Sequence, residues 1–557
     1  MNNRPYYIAS IVLFLLWLLK IKLLSGLFIS ASVICLLVAL VIEASKPKVQ
    51  IYDFKRWGSW LNYRNIQRGF HWSTPAEIRR FAKRQKNNPV FIDTFAMYKE
   101  TVNKLGVWFV PKISISINAL LFTRTMLVLG GMGSGKSSFF YQFFKHKHIF
   151  RRFFVHDMKG AFVKYFYRKD KDILLNFFDS RHANWSVFAE LERNPQTVTA
   201  FIRGLVHSAQ GEDGKQDFFA ASAAEIIKDW IFAAFYNNPG APDKILWKAF
   251  SIERDKYEKT AGDDKTKQSI LATARLTFEI LELMAKHADK ERFTIQDFFD
   301  SRDKNLFMLN ILEYGTLLTP YFAGFTAALS AIHLSRPDTK EDLTFYLLDE
   351  WYTLNLDVQT ATTLLTAVRS KGGCLAIGAI FLRKDDKFMQ QLMDSSKAMM
   401  FIFSVPESET QTHICEAFGD VYYEEMIRED KRNKAPAQFS MRQAPFLTNE
   451  QLVSMPAFHH LTFIGEDGII YLGYTPEESL EEVADPFVPI NQDGFYRKKY
   501  AKTEESKANI LTYQEKETIY QAIKDMGDFE AIHWLENNGY SNINIKELKA
   551  LFEENEQ

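Results

Sequence analysis

The run from Gly130 to Ser138, written GGMGSGKSS, has the residue types and spacing of a phosphate-binding loop. It contains G-x-x-x-x-G-K-S, in which glycines let backbone N–H groups surround phosphate oxygens and the following helix N-terminus adds positive potential. In this chemistry Lys136 reaches the β- and γ-phosphates of ATP, and Ser137 ligates Mg²⁺. An apolar strand before the loop and a helix-compatible run after it supply the context that the motif needs. The residues expected to bind ATP are Gly130, Gly131, Met132, Gly133, Ser134, Gly135, Lys136, Ser137 and Ser138.

A phosphate loop works with an acidic residue at the end of another strand, and two stretches could supply it. One strand ends at Asp157, and a longer apolar run over 344–348 is followed by Asp349 and Glu350. The second stretch fits better, because Asp349 can hold the Mg²⁺ shell while Glu350 orients and deprotonates the attacking water. An acid pair after a strand can instead cap a helix and serve as its first-turn acid. Because the acid pair occurs together with a phosphate loop, the catalytic interpretation is favoured. The predicted catalytic residues are Lys136 and Glu350, and the predicted magnesium ligands are Ser137 and Asp349.

The residues around these motifs alternate between strand-length and helix-length patterns. Apolar runs of strand length recur at 305–311, 375–381 and 398–403. The long stretch between the loop and the acid pair is mostly helical in pattern, with Ala-rich periodicity over 217–236 and again over 265–284. This alternation predicts a doubly wound α/β sheet with an all-helical insertion over about 190–305.

The first 45 residues are typical of a membrane segment. The stretch from Leu23 to Ile42 contains 20 residues without a charge, and at about 1.5 Å per residue a helix of this length covers the roughly 30 Å hydrocarbon core. A shorter apolar stretch over 6–19 precedes it, separated by Lys20 and Lys22. We predict a transmembrane hairpin over 1–45. The alternatives are a single span after an interfacial helix, or a signal-peptide core, against which the lack of a small-residue cleavage site argues.

Basic residues after the apolar segments indicate the orientation. Residues 46–86 carry eleven Lys and Arg, opposed only by Asp53 and Glu77. By the positive-inside rule this segment, and everything after it, lies in the cytoplasm. The charges favour contact with anionic lipid, and contact with a nucleic-acid backbone is the alternative.

Composition narrows the class of protein. The chain has 557 residues, with 68 basic and 68 acidic side chains, which excludes a protein that is basic throughout but leaves room for a local nucleic-acid patch. Cys35, Cys374 and Cys415 form no CxxC pair, so neither a disulfide framework nor structural zinc is expected. Residues 504–557 hold twelve acidic and five basic side chains, which indicates either a solvated face or a docking surface for a basic partner.

The succession of motifs resembles the coupling proteins of bacterial type IV secretion and conjugation, the TraD/TrwB-like ATPases. Two apolar N-terminal segments precede GGMGSGKSS, and the resemblance covers roughly residues 1–475. The later motifs, in order, are HDMKGAF at 156–162, NFFDSRHANWSVF at 176–188, DFFAASAAEII at 217–227, LLDEWYTL at 347–354, VRSKGG at 368–373, SVPESETQTHICEAFG at 404–419 and PFLTNEQLVSMP ending at Pro456.

This resemblance implies an α/β fold, a RecA-like P-loop nucleotide-binding domain with an inserted all-helical domain, preceded by the transmembrane hairpin. It implies a hexamer in the bacterial inner membrane, multi-pass, with the ATPase domain in the cytoplasm, that uses ATP and Mg²⁺ to deliver DNA to a secretion channel. The implied partners are single-stranded DNA held through its backbone, relaxase proteins, channel components and the membrane. Arg369 lies near the place where the family carries an arginine that completes a neighbouring subunit's site.

The expected domains are the hairpin over 1–45, a basic juxtamembrane segment over 46–110, an ATPase domain over 111–189 and 306–475, the helical insertion over 190–305, and an acidic linker with a small helical unit over 476–557. Two features depart from the family. The family usually places a Gln after the strand that follows the acid pair, where this chain has Ile380 and Phe381. The loop between the two apolar segments is also only a few residues long.

Two other functions fit the same motifs. One is a nucleotide-dependent receptor that delivers protein effectors, whose acidic C-terminal unit would carry the function. The other is an FtsK-like DNA translocase, which predicts more membrane spans and a C-terminal winged helix; the acidic end of this chain suits duplex binding poorly.

Overall fold

The computed structural model of the chain describes residues 66–73, 75–85, 89–94, 113–210, 218–262, 264–382, 399–428, 438–475, 477–490 and 513–537. Strands form where apolar β-branched and aromatic side chains run together, as in the stretches before Gly130 and before Asp349. In chain order the strands are β1 (Ile66–Arg68), β2 (Pro89–Thr94), β3 (Ile113–Asn118), β4 (Met126–Leu129), β5 (Phe150–Asp157), β6 (Ile173–Leu175), β7 (Asn184–Trp185), β8 (Arg292–Phe293), β9 (Lys304–Leu309), β10 (Leu343–Leu348), β11 (Gly373–Ala379), β12 (Met399–Ile402), β13 (Asp420–Arg428), β14 (Gln438–Pro445), β15 (His459–Ile464) and β16 (Ile469–Tyr474).

One nine-stranded sheet organises the described residues, in the order β16-β15-β12-β4-β11-β10-β5-β9-β6. From β12 to β6 neighbouring strands are parallel, whereas β15 and β16 join the β12 edge antiparallel. The predicted α/β class is therefore confirmed, with a mixed rather than a purely parallel sheet. Because parallel strands present their carboxyl ends at one edge, the loops after β4, β5, β10 and β11 lie together.

The helices are, in chain order, α1 (Pro75–Arg84), α2 (Lys136–Tyr141), α3 (Ala161–Phe166), α4 (Val187–Arg193), α5 (Pro195–Ala209), α6 (Phe218–Tyr236), α7 (Asp243–Ala261), α8 (Lys265–Lys286), α9 (Ile295–Asp300), α10 (Gly315–Ser335), α11 (Val358–Thr362), α12 (Ser408–Phe418), α13 (Asn449–Val453), α14 (Tyr513–Ile523) and α15 (Asp528–Asn537). The helices α5 to α8 run consecutively inside the stretch predicted to be an all-helical insertion. The short parallel pair of β7 and β8 brings the two ends of this helical stretch together.

Aromatic side chains cover both faces of the central sheet. Alternate residues of β5 point to opposite faces: Phe153 stacks on Phe144, which follows α2, and Phe154 stacks on Phe325 of α10. Each aromatic pair of this kind adds about 0.5–1.5 kcal/mol beyond the burial of its area. Aromatic residues make up 15% of the sequence, and many of those that the structure describes lie in the core.

The predicted transmembrane hairpin lies outside the described residues. Within them, one helical stretch, Leu312–Ser335, is long and apolar enough to cross a membrane, but 78% of its most apolar window is buried inside the protein. Its glycine at position 324 lets α10 approach α5 so closely that a Cβ there would lie 2.8 Å from the Phe201 carbonyl oxygen. This stretch is therefore a core element of the described fold.

Part of the predicted basic juxtamembrane segment folds onto the nucleotide unit. Ile78 and Phe81 of α1 are fully buried, and the Arg84 guanidinium lies 3.2 Å from the Asp467 carboxylate. Strand β1 pairs antiparallel with β13.

The acidic stretch after β16 runs along the nucleotide unit. Glu478 pairs with Lys145 at 2.5 Å and Glu482 pairs with Lys164 at 2.6 Å. The backbone N–H groups of Val483 and Ala484 both donate to the Lys164 carbonyl oxygen. Residues 477–486 are therefore held by two ion pairs and by main-chain hydrogen bonds.

The described residues divide into two compact units. The first contains the large sheet and extends to Pro486. The second comprises Phe177–His182 and the chain from Phe487 onward, and in it α14 and α15 share a small core. The buried members of this core are Ile519, Tyr520, Ile523, Ala531 and Leu535.

A candidate nucleotide-binding site

The phosphate loop lies between the end of β4 at Leu129 and the start of α2 at Lys136. Gly133 and Gly135 adopt positive φ angles of 71° and 108°. Residues with a Cβ rarely adopt such angles. The described loop therefore has the strand–turn–helix form that the sequence motif requires.

Two segments far along the chain press against the loop from outside. A Cβ at Gly130 would lie 2.6 Å from the Cβ of Phe403, and one at Gly135 would lie 2.8 Å from the ring of Phe458. The Gly131 N–H donates to the Ser404 carbonyl at 2.7 Å, and the Phe458 N–H donates to the Ser134 carbonyl at 2.7 Å. These glycines are required for close packing as well as for the turn.

Phe458 is a site residue that sequence reasoning missed. Its backbone is left-handed, with φ of 65°, and its side chain lines the same cleft as the loop. Nothing in the sequence around it marks it, because the signal is the backbone conformation and not the residue type.

Lys136 turns back onto its own loop. Its Nζ donates to the carbonyl oxygens of Gly130 at 2.5 Å and Gly131 at 3.1 Å. Burial lowers the pKa of Lys136, and the negative charges of Asp349 and Glu350 oppose that shift. The lysine is thus a buried cation in a cleft that also contains the predicted acid pair.

Asp349 and Glu350 follow β10. In the sheet, β11 lies between β10 and β4, the strand that leads into the phosphate loop. Burial raises the pKa of Asp349 to about 6, while Lys136 acts in the opposite direction. Glu350 has a left-handed backbone, with φ of 48°, and its N–H donates to Asp349 Oδ1 at 3.1 Å. This strained turn directs both carboxylates into one cleft, since both line it together with the loop.

Gly378 on β11 is a second residue that the sequence did not reveal. A Cβ at this position would lie 2.5 Å from Asp349 Oδ1 and 3.2 Å from the Phe140 ring. Only a glycine therefore lets the acid at the end of β10 approach the strand beside it.

Asp157, the other candidate acid, lies at the equivalent place as the last residue of β5. Its Oδ1 accepts the backbone N–H groups of Lys159 at 3.2 Å and Ala161 at 3.1 Å, and its Oδ2 accepts those of Phe162 at 2.8 Å and Val163 at 3.0 Å. Burial raises the pKa of Asp157, and these four hydrogen bonds oppose the rise. The carboxylate lines the cleft, but its acceptor positions are used by the backbone.

His156 supports the acid pair from behind. Its Nδ1 donates to the Asp349 carbonyl oxygen at 2.7 Å, because its Nε2 accepts from the Asn310 amide at 3.1 Å. Burial lowers the pKa of His156 to about 4, so the imidazole is neutral near pH 7. The sequence signal for this residue is its position just before Asp157 on the neighbouring strand.

The cleft gathers most of the predicted site and adds residues to it. Gly130, directly after β4, is buried and is not among the residues that line the cleft, whereas Met132 lines it and is 81% exposed. The predicted residues that line the cleft are Gly131, Met132, Gly133, Ser134, Gly135, Lys136, Ser137, Ser138, Asp349 and Glu350. Lys159 and Phe458 are additional lining residues.

Arg369 lies away from this cleft in its own chain. It is an exposed residue just before β11, whereas the cleft is at the other end of that strand. Seven residues of β11 separate the two edges by roughly 20 Å at about 3.3 Å per residue. Phe381, which stands where the family usually has a Gln, packs against Tyr352 with ring centroids 4.4 Å apart.

The residues of the cleft suit a phosphate-bound magnesium ion rather than a closed metal cage. Within the part of the chain that the structure describes, no three His, Cys, Asp or Glu groups cluster as metal ligands. Mg²⁺ is usually held by one or two protein oxygens together with substrate phosphates. The hydroxyl of Ser137 and the carboxylate of Asp349, both half-buried residues, supply such oxygens, and both line the cleft.

Comparison with known proteins identifies the family of this chain. Residues 109–465 match the family model described as the type IV secretion-system coupling protein DNA-binding domain. The chain belongs to the type IV secretion coupling proteins. Among curated proteins no sequence matches it.

Solved structures of a coupling protein share its fold. TrwBdeltaN70, a bacterial conjugative coupling protein in an unbound form, is 16% identical, with a TM-score of 0.60 over 76% of this chain and 97% of that chain. The plasmid coupling protein TrwB in complex with ADP and Mg²⁺ is also 16% identical, with a TM-score of 0.59 over 77% of this chain and 98% of that chain. At this identity the likeness shows a shared α/β P-loop ATPase fold.

Proposed function

We propose that this coupling protein binds and hydrolyses ATP with Mg²⁺, and that hydrolysis delivers DNA to a type IV secretion channel during conjugation. The observation that carries the proposal is the cleft in which the phosphate loop, Lys136 and the Asp349-Glu350 pair meet. The solved complex of TrwB with ADP and Mg²⁺ supports nucleotide binding by the same fold.

The residues of the cleft divide the chemistry among them. Backbone N–H groups from Gly131 to Ser138 and the Lys136 ammonium would hold the phosphates, which releases Lys136 from its own carbonyl contacts. Ser137 and Asp349 would hold the metal, and bound Mg²⁺ neutralises charge on the phosphates. Glu350 would orient the attacking water and accept its proton.

The membrane, assembly and substrate parts of the proposal are supported by sequence and family. In this proposal a transmembrane hairpin over 1–45 anchors the protein, the later residues lie in the cytoplasm, and the chains assemble as a homo-hexamer. Relaxase proteins and single-stranded DNA, bound through its backbone, are the proposed cargo. Salt-sensitive binding is expected for such backbone contacts. The proposed domain bounds stay as predicted, with an acidic linker and helical unit over 476–557.

A hexamer gives Arg369 a role that it lacks within one chain. Because it lies at the sheet edge opposite its own cleft, it would act only on the cleft of a neighbouring subunit. An arginine supplied in this way stabilises charge that develops on the transferred phosphoryl group. Arg369→Ala should then lower hydrolysis by mixed hexamers even when the neighbouring subunits keep intact clefts.

The direct test is ATP hydrolysis by the full chain purified in detergent, with and without single-stranded DNA. We expect hydrolysis that DNA stimulates and that Lys136→Ala abolishes. Unchanged hydrolysis in Lys136→Ala would contradict the proposal, as would an absence of salt-sensitive DNA binding.

Conjugative transfer separates a pump from a receptor for protein effectors. A pump loses transfer on Lys136→Ala, whereas a pure receptor tolerates that change and fails when the acidic C-terminal unit is removed. Because residues 477–486 pack on the nucleotide unit, the truncation should follow Pro486. A cut at 476 would remove contacts of the ATPase itself.

A further inference from the structure

A lysine outside the phosphate-loop motif stands beside the predicted catalytic base. Lys159 follows Asp157 in the turn after β5, lines the same cleft as the loop, and places its Nζ 3.6 Å from Glu350 Oε1. Among the described residues, this contact links the turn after β5 to the acid pair after β10.

The backbone around Lys159 is held firmly although its side chain is exposed. Its N–H donates to the buried Asp157 carboxylate at 3.2 Å. The next residue, Gly160, has φ of 72°, and a Cβ there would lie 2.7 Å from the Pro486 carbonyl oxygen. Next to these constraints, the Lys159 side chain is 65% exposed.

The backbone around Glu350 is held as well. Its left-handed conformation is closed by Thr353, whose N–H and hydroxyl both donate to the Glu350 carbonyl, at 2.9 Å and 2.7 Å. The same hydroxyl lies 3.4 Å from the Met158 sulfur. The two turns therefore touch at Met158 and Thr353 and face each other across the ion pair.

We propose that Lys159 is a positioning residue that holds the Glu350 carboxylate in the direction needed to orient the attacking water. At 3.6 Å the contact is longer than a direct hydrogen bond, so the carboxylate oxygen keeps lone pairs for the water. An ion pair with one exposed partner is weak, so it favours one direction of the carboxylate without fixing it rigidly. This inference rests on the proposed hydrolysis of ATP.

The test compares Lys159→Ala, Lys159→Arg and Glu350→Gln in the full chain purified in detergent. If Lys159 positions Glu350, Lys159→Ala lowers kcat about 10-fold, a part of the roughly 100- to 10,000-fold that general-base catalysis supplies, and leaves KM within about 3-fold, because ground-state binding is untouched. Lys159→Arg restores kcat to within about 3-fold, since it keeps the positive charge. Lys164→Ala is the matched control, because Lys164 on the neighbouring helix α3 pairs with Glu482 rather than with Glu350, and it leaves kcat unchanged.

A double-mutant cycle separates positioning from phosphate binding. In a Glu350→Gln background, loss of Lys159 should cost nothing further. A further loss there, together with about 10-fold weaker binding of a non-hydrolysable ATP analogue, would make Lys159 a phosphate ligand and overturn the proposal. Unchanged kcat in Lys159→Ala overturns it too. If the unmodified chain hydrolyses no ATP, both this inference and the proposed function fail. If the unmodified chain is active and Lys159→Ala has the same kcat, only this inference fails.

Discussion

The turns that follow β5 and β10 both begin with an aspartate, but the two carboxylates differ in how many backbone N–H groups they accept. Leu348 pairs with His156 across these parallel strands, so Asp157 and Asp349 occupy equivalent positions at one sheet edge. Asp157 is surrounded by four backbone N–H donors. Asp349 accepts one backbone N–H, from Glu350, and faces Lys136. A carboxylate saturated by backbone donors organises a turn, whereas one left with unused oxygens can bind a metal.

The rate of ATP hydrolysis should show the largest difference between variants of the two aspartates. Asp349→Asn should lower kcat by about 1000-fold, as expected when a ligand of the transition-state charge is lost. Asp157→Asn should lower it by less than about 10-fold at a temperature where both variants are folded. Steady-state assays at saturating ATP and Mg²⁺ measure this difference, and equal losses would erase the distinction between the turns.

For the free energy of unfolding we expect the opposite order, with a larger effect from loss of Asp157 than from loss of Asp349. Asp157→Ala leaves four backbone N–H groups without their acceptor, and we expect the free energy of unfolding to fall by about 3 kcal/mol, given about 1–3 kcal/mol for each unsatisfied group and partial rescue by water. Asp349→Ala removes a buried charge and should destabilise far less. Urea denaturation without nucleotide compares the two, with Asp157→Asn as the intermediate control. A larger loss in Asp349→Ala would contradict the comparison.

The pH dependence of stability should report the burial of Asp349. Its pKa rises from 3.8 in the unfolded chain to about 6 in the folded one, so its contribution is fully present below pH 3.8 and is lost as pH rises through 6. This loss amounts to at most about 3 kcal/mol. Asp349→Asn should remove that decline in denaturation midpoints.

Glu190 complicates this measurement and provides its control. Burial raises the pKa of Glu190 from 4.5 to about 7, which gives a decline in stability that overlaps that of Asp349 and extends to higher pH. The Asp349 comparison is therefore made in a Glu190→Gln background. A decline between pH 4 and 6 that persists in the double variant would show that another group causes it.

The smallest expected effect is a fall in kcat on substitution of Gly378, which tests the position of the Asp349 carboxylate directly. Gly378→Ala places a methyl group 2.5 Å from the present position of Asp349 Oδ1, so the carboxylate must shift, and kcat should fall about 10-fold, or about 1.4 kcal/mol. Gly315→Ala is the control, because nothing lies within 4 Å of a Cβ there. Equal activities of the two variants would mean that Asp349 tolerates displacement.

Much of the nucleotide unit could be predicted from the sequence. The runs ending at Leu129, Asp157 and Leu348 are strands in the structure, because their apolar, aromatic and β-branched side chains suit a buried sheet wherever the strand is placed. The loop glycines and Lys136 could be recognised because a phosphate contact constrains residue types at neighbouring positions in the chain. The family resemblance was likewise carried by short local motifs, and the family match over 109–465 confirms it.

Other features could not be predicted, because they depend on contacts between distant parts of the chain. Phe458 meets the loop from 323 positions beyond Gly135, and Gly378 matters only because β11 is inserted between β4 and β10. The location of Arg369 at the far edge follows from the direction of the same strand. Local patterns carry no information on strand order, so these three residues could not be assigned a place in advance.

Residues adjacent in the chain are enough to predict a phosphate loop, an acid pair and the strands that carry them, since each of these features is set locally. Folding shows which carboxylate has its acceptor positions filled, because four backbone N–H groups surround Asp157, whereas Asp349 accepts one from Glu350 and faces the charge of Lys136 from another strand's loop. The tertiary structure also decided that Lys159 meets Glu350, for the two turns become neighbours only when β5 and β10 pair.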